Sequence, residues 1–375
     1  MHPEFPLDDS LIHLNHAAVG PWPRRTAEAV SRFAYENMHE GSRHFMTWLA
    51  REQTLREQLA RLINAPSSAA IGLLKSTSEG LSVVAYGLDW QPGDNVISLR
   101  EEFPSNRIVW ESLARLGVTN RQLTLADIAA DPEAALIAAI DARTRLLAVS
   151  SVQYASGLRL DLTRLGAACR ARGIAFCVDA IQHLGALPFD VQATQADFVV
   201  ADAHKWLLGP EGIAVFYCAE PYRSQLTLYQ YGWHMVEALG DFERFDWQPA
   251  TSARRFECGS ANNLGIQALA ASVSLLLETG MDSISAAVLE NARYLRTQLS
   301  KQGAQILSPS EPNRHSGIVT FRLPGVDSTT VYQHLTEQGV LCAQRGGGIR
   351  FSPHFYTAKA DLDRALEILT AAALP

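Results

Sequence analysis

Two short segments carry residues suited to amine and carbonyl chemistry. In Phe176-Cys177-Val178-Asp179-Ala180-Ile181-Gln182-His183 a carboxylate directly follows an apolar run. In Asp197-Phe198-Val199-Val200-Ala201-Asp202-Ala203-His204-Lys205-Trp206, a lysine lies between a histidine and a tryptophan, just ahead of Gly209-Pro210-Glu211-Gly212. An open α/β sheet presents its functional residues at the carboxyl ends of its strands. A lysine placed there loses hydration, which disfavours its charged form, and a neutral amine forms an imine with an aldehyde. The Asp179 carboxylate would keep a nearby pyridine-type nitrogen protonated, so that the ring accepts electron density from a carbanion. Taken singly, each residue also has a plainer reading: a surface lysine, and an aspartate capping the next helix.

Two further segments suit a phosphate and a flat ring. Lys75-Ser76-Thr77-Ser78-Glu79-Gly80 lies between an apolar run and a helical pattern, where hydroxyls and free amides receive an anion or simply cap the helix. It lacks the spacing of a nucleotide-binding P-loop, and no glycine-rich dinucleotide fingerprint follows the first strand. In Glu102-Phe103-Pro104-Ser105-Asn106, Phe103 either stacks on a heterocycle or belongs to the core.

These residues need a scaffold. Short apolar runs at 70–74, 95–99, 146–152, 175–178, 198–201 and 213–217 alternate with helical patterns at 79–87, 105–116 and 162–172. Such alternation predicts an α/β domain with a mainly parallel sheet. From about residue 264 the pattern changes to helices at 264–278 and 283–302, a strand at 317–322, a helix at 328–338, a strand at 340–343 and a last helix at 358–373. This predicts a smaller α+β domain. We expect a large domain over 16–263 and a small one over 264–375 joined by 1–15, with a long helix able to bridge them.

The 375 residues carry a formal charge of −7 and no long basic run, which argues against a nucleic-acid or anionic-membrane surface. The five cysteines form no C-x-x-C pair and no histidine-rich metal cluster, so no metal site is expected. Their odd, scattered placement fits a reducing compartment. The segment 1–9 has acids and prolines in place of a basic stretch and an apolar core, so no signal peptide is expected. The longest nearly apolar stretch, 266–277, is too short for a bilayer. A cytoplasmic protein is the expectation.

Together, the quoted segments resemble the class V aminotransferase family of fold type I pyridoxal-5′-phosphate (PLP) enzymes. That group includes cysteine desulfurases, kynureninase and isopenicillin N epimerase-like proteins. The resemblance runs from Leu14-Asn15-His16-Ala17-Ala18 to Ile349-Arg350-Phe351-Ser352, and Asp179-x-x-Gln182 followed by His204-Lys205 and Gly209-Pro210-x-Gly212 is its most specific part. It implies a seven-stranded, mainly parallel sheet and a Schiff-base lysine at Lys205, which also moves protons. It makes Asp179 the partner of the ring nitrogen and Gln182 a donor to the ring's phenolic oxygen. Phe103 and Tyr154 lie beside the ring, His204 lies against it, and Thr77 and Ser78 form the phosphate turn. Ser260 is placed to reach a partner subunit's phosphate, with Trp233 at the same rim, which implies a homodimer with shared sites. Arg350 holds the substrate carboxylate, and Asn15 and His16 line the substrate side.

Two departures stand out. Asp202 replaces a serine that many relatives use for the phosphate, and a carboxylate facing that anion is repelled. In desulfurases a mobile loop bears a nucleophilic cysteine before the carboxylate-binding arginine. Here the short segment Cys342–Arg350 has its only cysteine at a strand end, which disfavours a persulfide-forming reaction. Aminotransferase-type chemistry at Cα of an amino acid is the leading reading. A Cβ–S or Cα–Cβ lyase, an epimerase, and a binding module that kept the fold without catalysis are the alternatives. The opening segment and Ala203–Pro210 look most like the epimerase-like subgroup.

Overall fold

The computed structural model describes residues 2–372, so the last residue of the expected final helix, Ala373, lies outside it. Five strands, Phe198–Asp202, Ala175–Asp179, Thr144–Ser150, Asn95–Leu99 and Thr119–Leu123, pair in parallel in that order. At the Phe198–Asp202 edge the sheet continues through Ala214–Cys218, antiparallel to its neighbours, to Ile71–Leu74, giving seven strands. The central strands are buried on both faces, which explains why they read as unbroken apolar runs. Thr119–Leu123 is an edge strand, half-exposed and largely polar, and its sequence alone does not announce it.

Strand order decides where chemistry collects. Ile71–Leu74 and Phe198–Asp202 flank the antiparallel strand from opposite sides. Their carboxyl ends therefore lie on the same edge, and the turn starting at Lys75 meets Asp202 and the loop that carries Lys205. Asp179 ends the neighbouring strand.

The helix Asn263–Thr279 begins at Asn262, whose side chain accepts the Gly265 amide at 3.0 Å. Its apolar residues Ile266, Leu269, Val273 and Leu276 join the core beneath the large sheet, as do Ile284 and Val288 of the following helix, Met281–Lys301. The same second helix gives Ala292, Leu295 and Leu299 to a separate core with Val319, Phe321 and Phe351. We therefore propose that the change of domain falls inside Met281–Lys301, some twenty residues later than the sequence pattern suggests. The second core covers an antiparallel sheet ordered Ala343–Arg345, Gly348–Phe351, Val319–Arg322, Gln305–Ile306. The N-terminal segment is tied to it: Ile12–His13 pairs with Val340–Leu341, and Asn15 bridges to Ser352. No single helix among the described residues is long and apolar enough to cross a membrane.

Candidate active site

Lys205 lies in the loop after Phe198–Asp202 and is buried, with 7% of its surface exposed. Burial pushes its ammonium down, while Asp179 opposes that shift. Among the described residues it forms no ion pair, and its Nζ lies 5.4 Å from the centre of the Phe103 ring. The loop is tightly held. Gly20 donates its amide to the His204 carbonyl at 2.7 Å, and a Cβ on Gly20 would come within 2.4 Å of the Lys205 carbonyl oxygen. Leu208 adopts φ +60° although it is not glycine, a left-handed conformation that surrounding structure must enforce. Its carbonyl accepts the Ser272 hydroxyl at 2.8 Å from the Asn263–Thr279 helix.

Asp179 is likewise buried, and burial pushes its carboxyl up. One oxygen accepts the Ile181 amide at 3.0 Å, its only side-chain hydrogen bond among the described residues. Behind it lies a group that the sequence reading did not single out. Glu102 is fully buried and accepts the Ser150 amide at 2.8 Å, Gln153 Nε2 at 2.9 Å, Asn106 Nδ2 at 3.1 Å and the Ser150 hydroxyl. The i, i+4 spacing of Glu102 and Asn106 was the available signal; the partners at Ser150 and Gln153 come from the neighbouring strand and were not visible. This network fixes the segment that presents Phe103.

Phe103 and Tyr154 meet edge to face at 5.2 Å, and Phe103 is 40% exposed. Such a half-open aromatic can take a flat ring. Gln182 is committed further than its expected role requires: Nε2 donates to the Ala17 carbonyl at 2.9 Å, and Oε1 accepts Trp206 Nε1 at 2.8 Å. One amide hydrogen remains for a ligand. His204 is half-buried, burial pushes its imidazolium down, and its Nδ1 has no partner.

Arg350 is 2% exposed, yet has no carboxylate partner among the described residues. Its Nη1 donates to the Tyr154 carbonyl at 2.6 Å, and its Nε has no acceptor. Burial and the nearby Arg345 push its guanidinium down to about 10, so it stays charged at neutral pH. A buried, unpaired cation with a free donor is costly without an anion. Asn15, half-buried with an unpartnered Oδ1, lies on the same edge through its bridge to Ser352.

The phosphate turn differs from the expectation. Ser76 caps the helix Thr77–Gly87. The Thr77 amide donates to Asp202 Oδ2 at 3.0 Å, and the Thr77 hydroxyl accepts the Asp202 amide at 3.0 Å. Asp202 therefore turns onto backbone, and Thr77 is buried in that exchange. Ser78 is exposed, its hydroxyl bonded to Ser105 at 2.8 Å.

His16 needs correction as a residue facing substrate. It is fully buried, its Nδ1 donates to the Ser352 carbonyl at 2.9 Å, and its Nε2 accepts the Tyr356 hydroxyl at 2.6 Å. With His13, His354 and Trp206 packed around it, it pins the N-terminal segment. Trp233 is also set apart within one chain. It lines a cavity of about 400 Å³ with Tyr231, Phe242 and Trp247, without Lys205. Ser260 is exposed beside a cavity of about 180 Å³ that Lys75 and Glu79 also line. The segment leaves large apolar side chains exposed, among them Tyr229, Phe242 and Phe245.

These residues fit PLP. A buried, unpaired amine, a carboxylate with a free oxygen, an aromatic face and the unpartnered His204 Nδ1 converge at the strand ends. The model for class V aminotransferases matches residues 12–365, and the chain belongs to that family, a group of PLP enzymes with the type I fold. It is 30% identical to isopenicillin N epimerase of Streptomyces clavuligerus over 97% of this chain and 96% of that protein. A cysteine desulfurase of Escherichia coli superposes with a TM-score of 0.87 at 24% identity, covering 100% of this chain and 98% of that one. The cystine C–S lyase C-DES, in complex with its product cysteine persulfide, superposes at 0.88 with 23% identity, covering 96% and 98%.

Proposed function

We propose that this chain holds PLP on Lys205 and labilises a bond at Cα of an amino acid, with aminotransferase-type chemistry as the outcome. The observation that carries the reading is Arg350, a buried guanidinium with no anion of its own among the described residues, on the small-domain strand Gly348–Phe351 and near enough to Lys205 for their charges to interact. A substrate carboxylate is the partner it lacks, and two parallel hydrogen bonds to such a group are strong and directional. When bound, PLP supplies an electron-accepting ring and an aldehyde carbon.

The chain's own groups do the rest. Asp179 offers its free oxygen to the ring nitrogen. Phe103 covers a ring face, and Gln182 gives its remaining amide hydrogen. Lys205, whose ammonium burial pushes down to about 8, takes and returns the proton at Cα as general base and acid. His204 Nδ1 and the Ser78 turn are the donors left for the phosphate. The uncovered apolar segment around Trp233 and Ser260 supports a homodimer in which the second copy closes the site.

A persulfide-forming reaction is disfavoured by Cys342. It is buried, with 5% of its surface exposed, and burial pushes its thiol up to about 12, whereas a nucleophilic thiol needs exposure and a lowered pKa. The test is an absorbance titration of the PLP-loaded protein with a panel of L-amino acids, with keto-acid products assayed. A lasting change to the amine form of the cofactor, with release of one keto acid, supports transamination. Unchanged cofactor with steady release of pyruvate or alanine would move the assignment to a lyase, and inversion at Cα alone to an epimerase.

A further inference from the structure

The turn at the start of Thr77–Gly87 has already spent half of its free amides. A helix N-terminus normally presents four unpaired amides. Here two of them are taken: the Thr77 amide by Asp202 at 3.0 Å and the Glu79 amide by the Ser76 hydroxyl at 3.2 Å. The Ser76 and Ser78 amides have no acceptor among the described residues. Two carboxylates already sit at this end. Asp202 is one; Glu79, which accepts the Lys75 amide at 2.7 Å, is the other. The partial positive charge of the helix end is therefore matched before any ligand arrives.

Asp202 is fixed there by reciprocal bonds. Its backbone amide donates to the Thr77 hydroxyl while its carboxylate receives the Thr77 amide. The backbone bond holds Asp202 beside the turn, and swinging its side chain away would break the bond to the Thr77 amide. Asp202 also acts on Lys205, though less than Asp179 does, while its carboxylate is bonded at the helix end where a phosphate would dock.

We propose that Asp202 weakens this chain's grip on the phosphate of its cofactor, so that PLP is retained through Lys205 and the ring and exchanges with free cofactor. This rests on the proposed function and makes a separate demand on it. A carboxylate that takes a donor and adds a like charge lowers affinity for a phosphorylated ligand far more than for its unphosphorylated form. Pyridoxal, which lacks the phosphate, is the control.

The experiment loads the full chain with PLP or with pyridoxal and follows release by dialysis, in wild type, Asp202→Asn and Asp202→Ser. Asparagine keeps an acceptor for the Thr77 amide and removes the charge; serine removes both charge and bulk. The expected result is release of PLP slowed roughly tenfold or more in each variant, with release of pyridoxal changed by less than about twofold. PLP release that is unchanged or faster in the variant whose unfolding temperature matches wild type would overturn the proposal, as would an equal change for pyridoxal. Failure of the underlying reading looks different. Wild type would then release both compounds as fast as Lys205→Ala does, and both proposals would fall.

Discussion

Arg350 Nη1 donates to the carbonyl of Tyr154 at 2.6 Å, a bond that joins the small-domain sheet to the loop beneath the large-domain site. The guanidinium is thereby aimed by backbone while its Nε stays free. Replacing Arg350 with Lys keeps a charge and loses the planar fork. We expect the KM for the amino-acid substrate to rise about 10- to 100-fold, the scale of one charge-assisted hydrogen bond. Steady-state kinetics across carboxylate-bearing and decarboxylated amines check this, since only the former should respond.

The Glu102 network predicts a stability effect with no direct role in chemistry. In Glu102→Gln one acceptor oxygen becomes a donor, which then faces either Gln153 Nε2 and the Ser150 amide or Asn106 Nδ2 and the Ser150 hydroxyl, groups that already donate. Leaving buried donors unpaired costs about 2–4 kcal/mol. The midpoint of urea unfolding should fall accordingly, and cofactor content should fall with it because Phe103 is the next residue.

Acid should destabilise the chain through its buried histidines. His354 Nε2 donates to the Trp206 carbonyl at 3.1 Å and Nδ1 accepts the Phe355 amide at 2.8 Å, so both nitrogens are committed to the neutral ring. Burial pushes His354 and His13 down to about 4, and His16 well below its ordinary value. The unfolded chain binds these protons first, near pH 6.5. The stability they contribute is therefore complete above that pH and is lost as pH falls towards 4, by about 1.4 kcal/mol per unit for each ring. Buried carboxyls such as Asp197, pushed up to about 6 by burial, work in the opposite sense. The check is thus a difference: thermal unfolding of His354→Gln should depend less steeply on pH between 6.5 and 4.5 than that of wild type. Equal slopes would refute the assignment.

Gly20 offers a geometric test. Its missing Cβ is what lets the N-terminal segment lie against the Lys205 carbonyl, since a Cβ there would sit 2.4 Å from that oxygen. Gly20→Ala should push against backbone, which cannot yield cheaply, and cost about 1–3 kcal/mol. Cofactor loading should weaken, measured by absorbance at saturating protein.

Much of this site was legible because its strands are buried on both faces. Asn95–Leu99 and Leu162–Arg172 appear where the apolar pattern puts them, and Lys205 and Asp179 fall at strand ends as the alternation implies. The edge strand Thr119–Leu123 was hidden by its polarity. Gly348–Phe351, which bears Arg350, was hidden by its brevity after a run of glycines. Long-range pairings were beyond any local pattern. The sequence posed the question of Asp202, but the answer lay 125 residues away at Thr77. His16 likewise looked available until Ser352 and Tyr356, more than 330 residues on, were seen to hold both of its nitrogens.

The most direct test of the central claim is to reduce the PLP-loaded protein with borohydride, digest it and locate the modified lysine by mass spectrometry. The account predicts a single phosphopyridoxyl group on the peptide containing Lys205, absent from Lys205→Ala. Modification at another lysine, or equal labelling of the alanine variant, would contradict it.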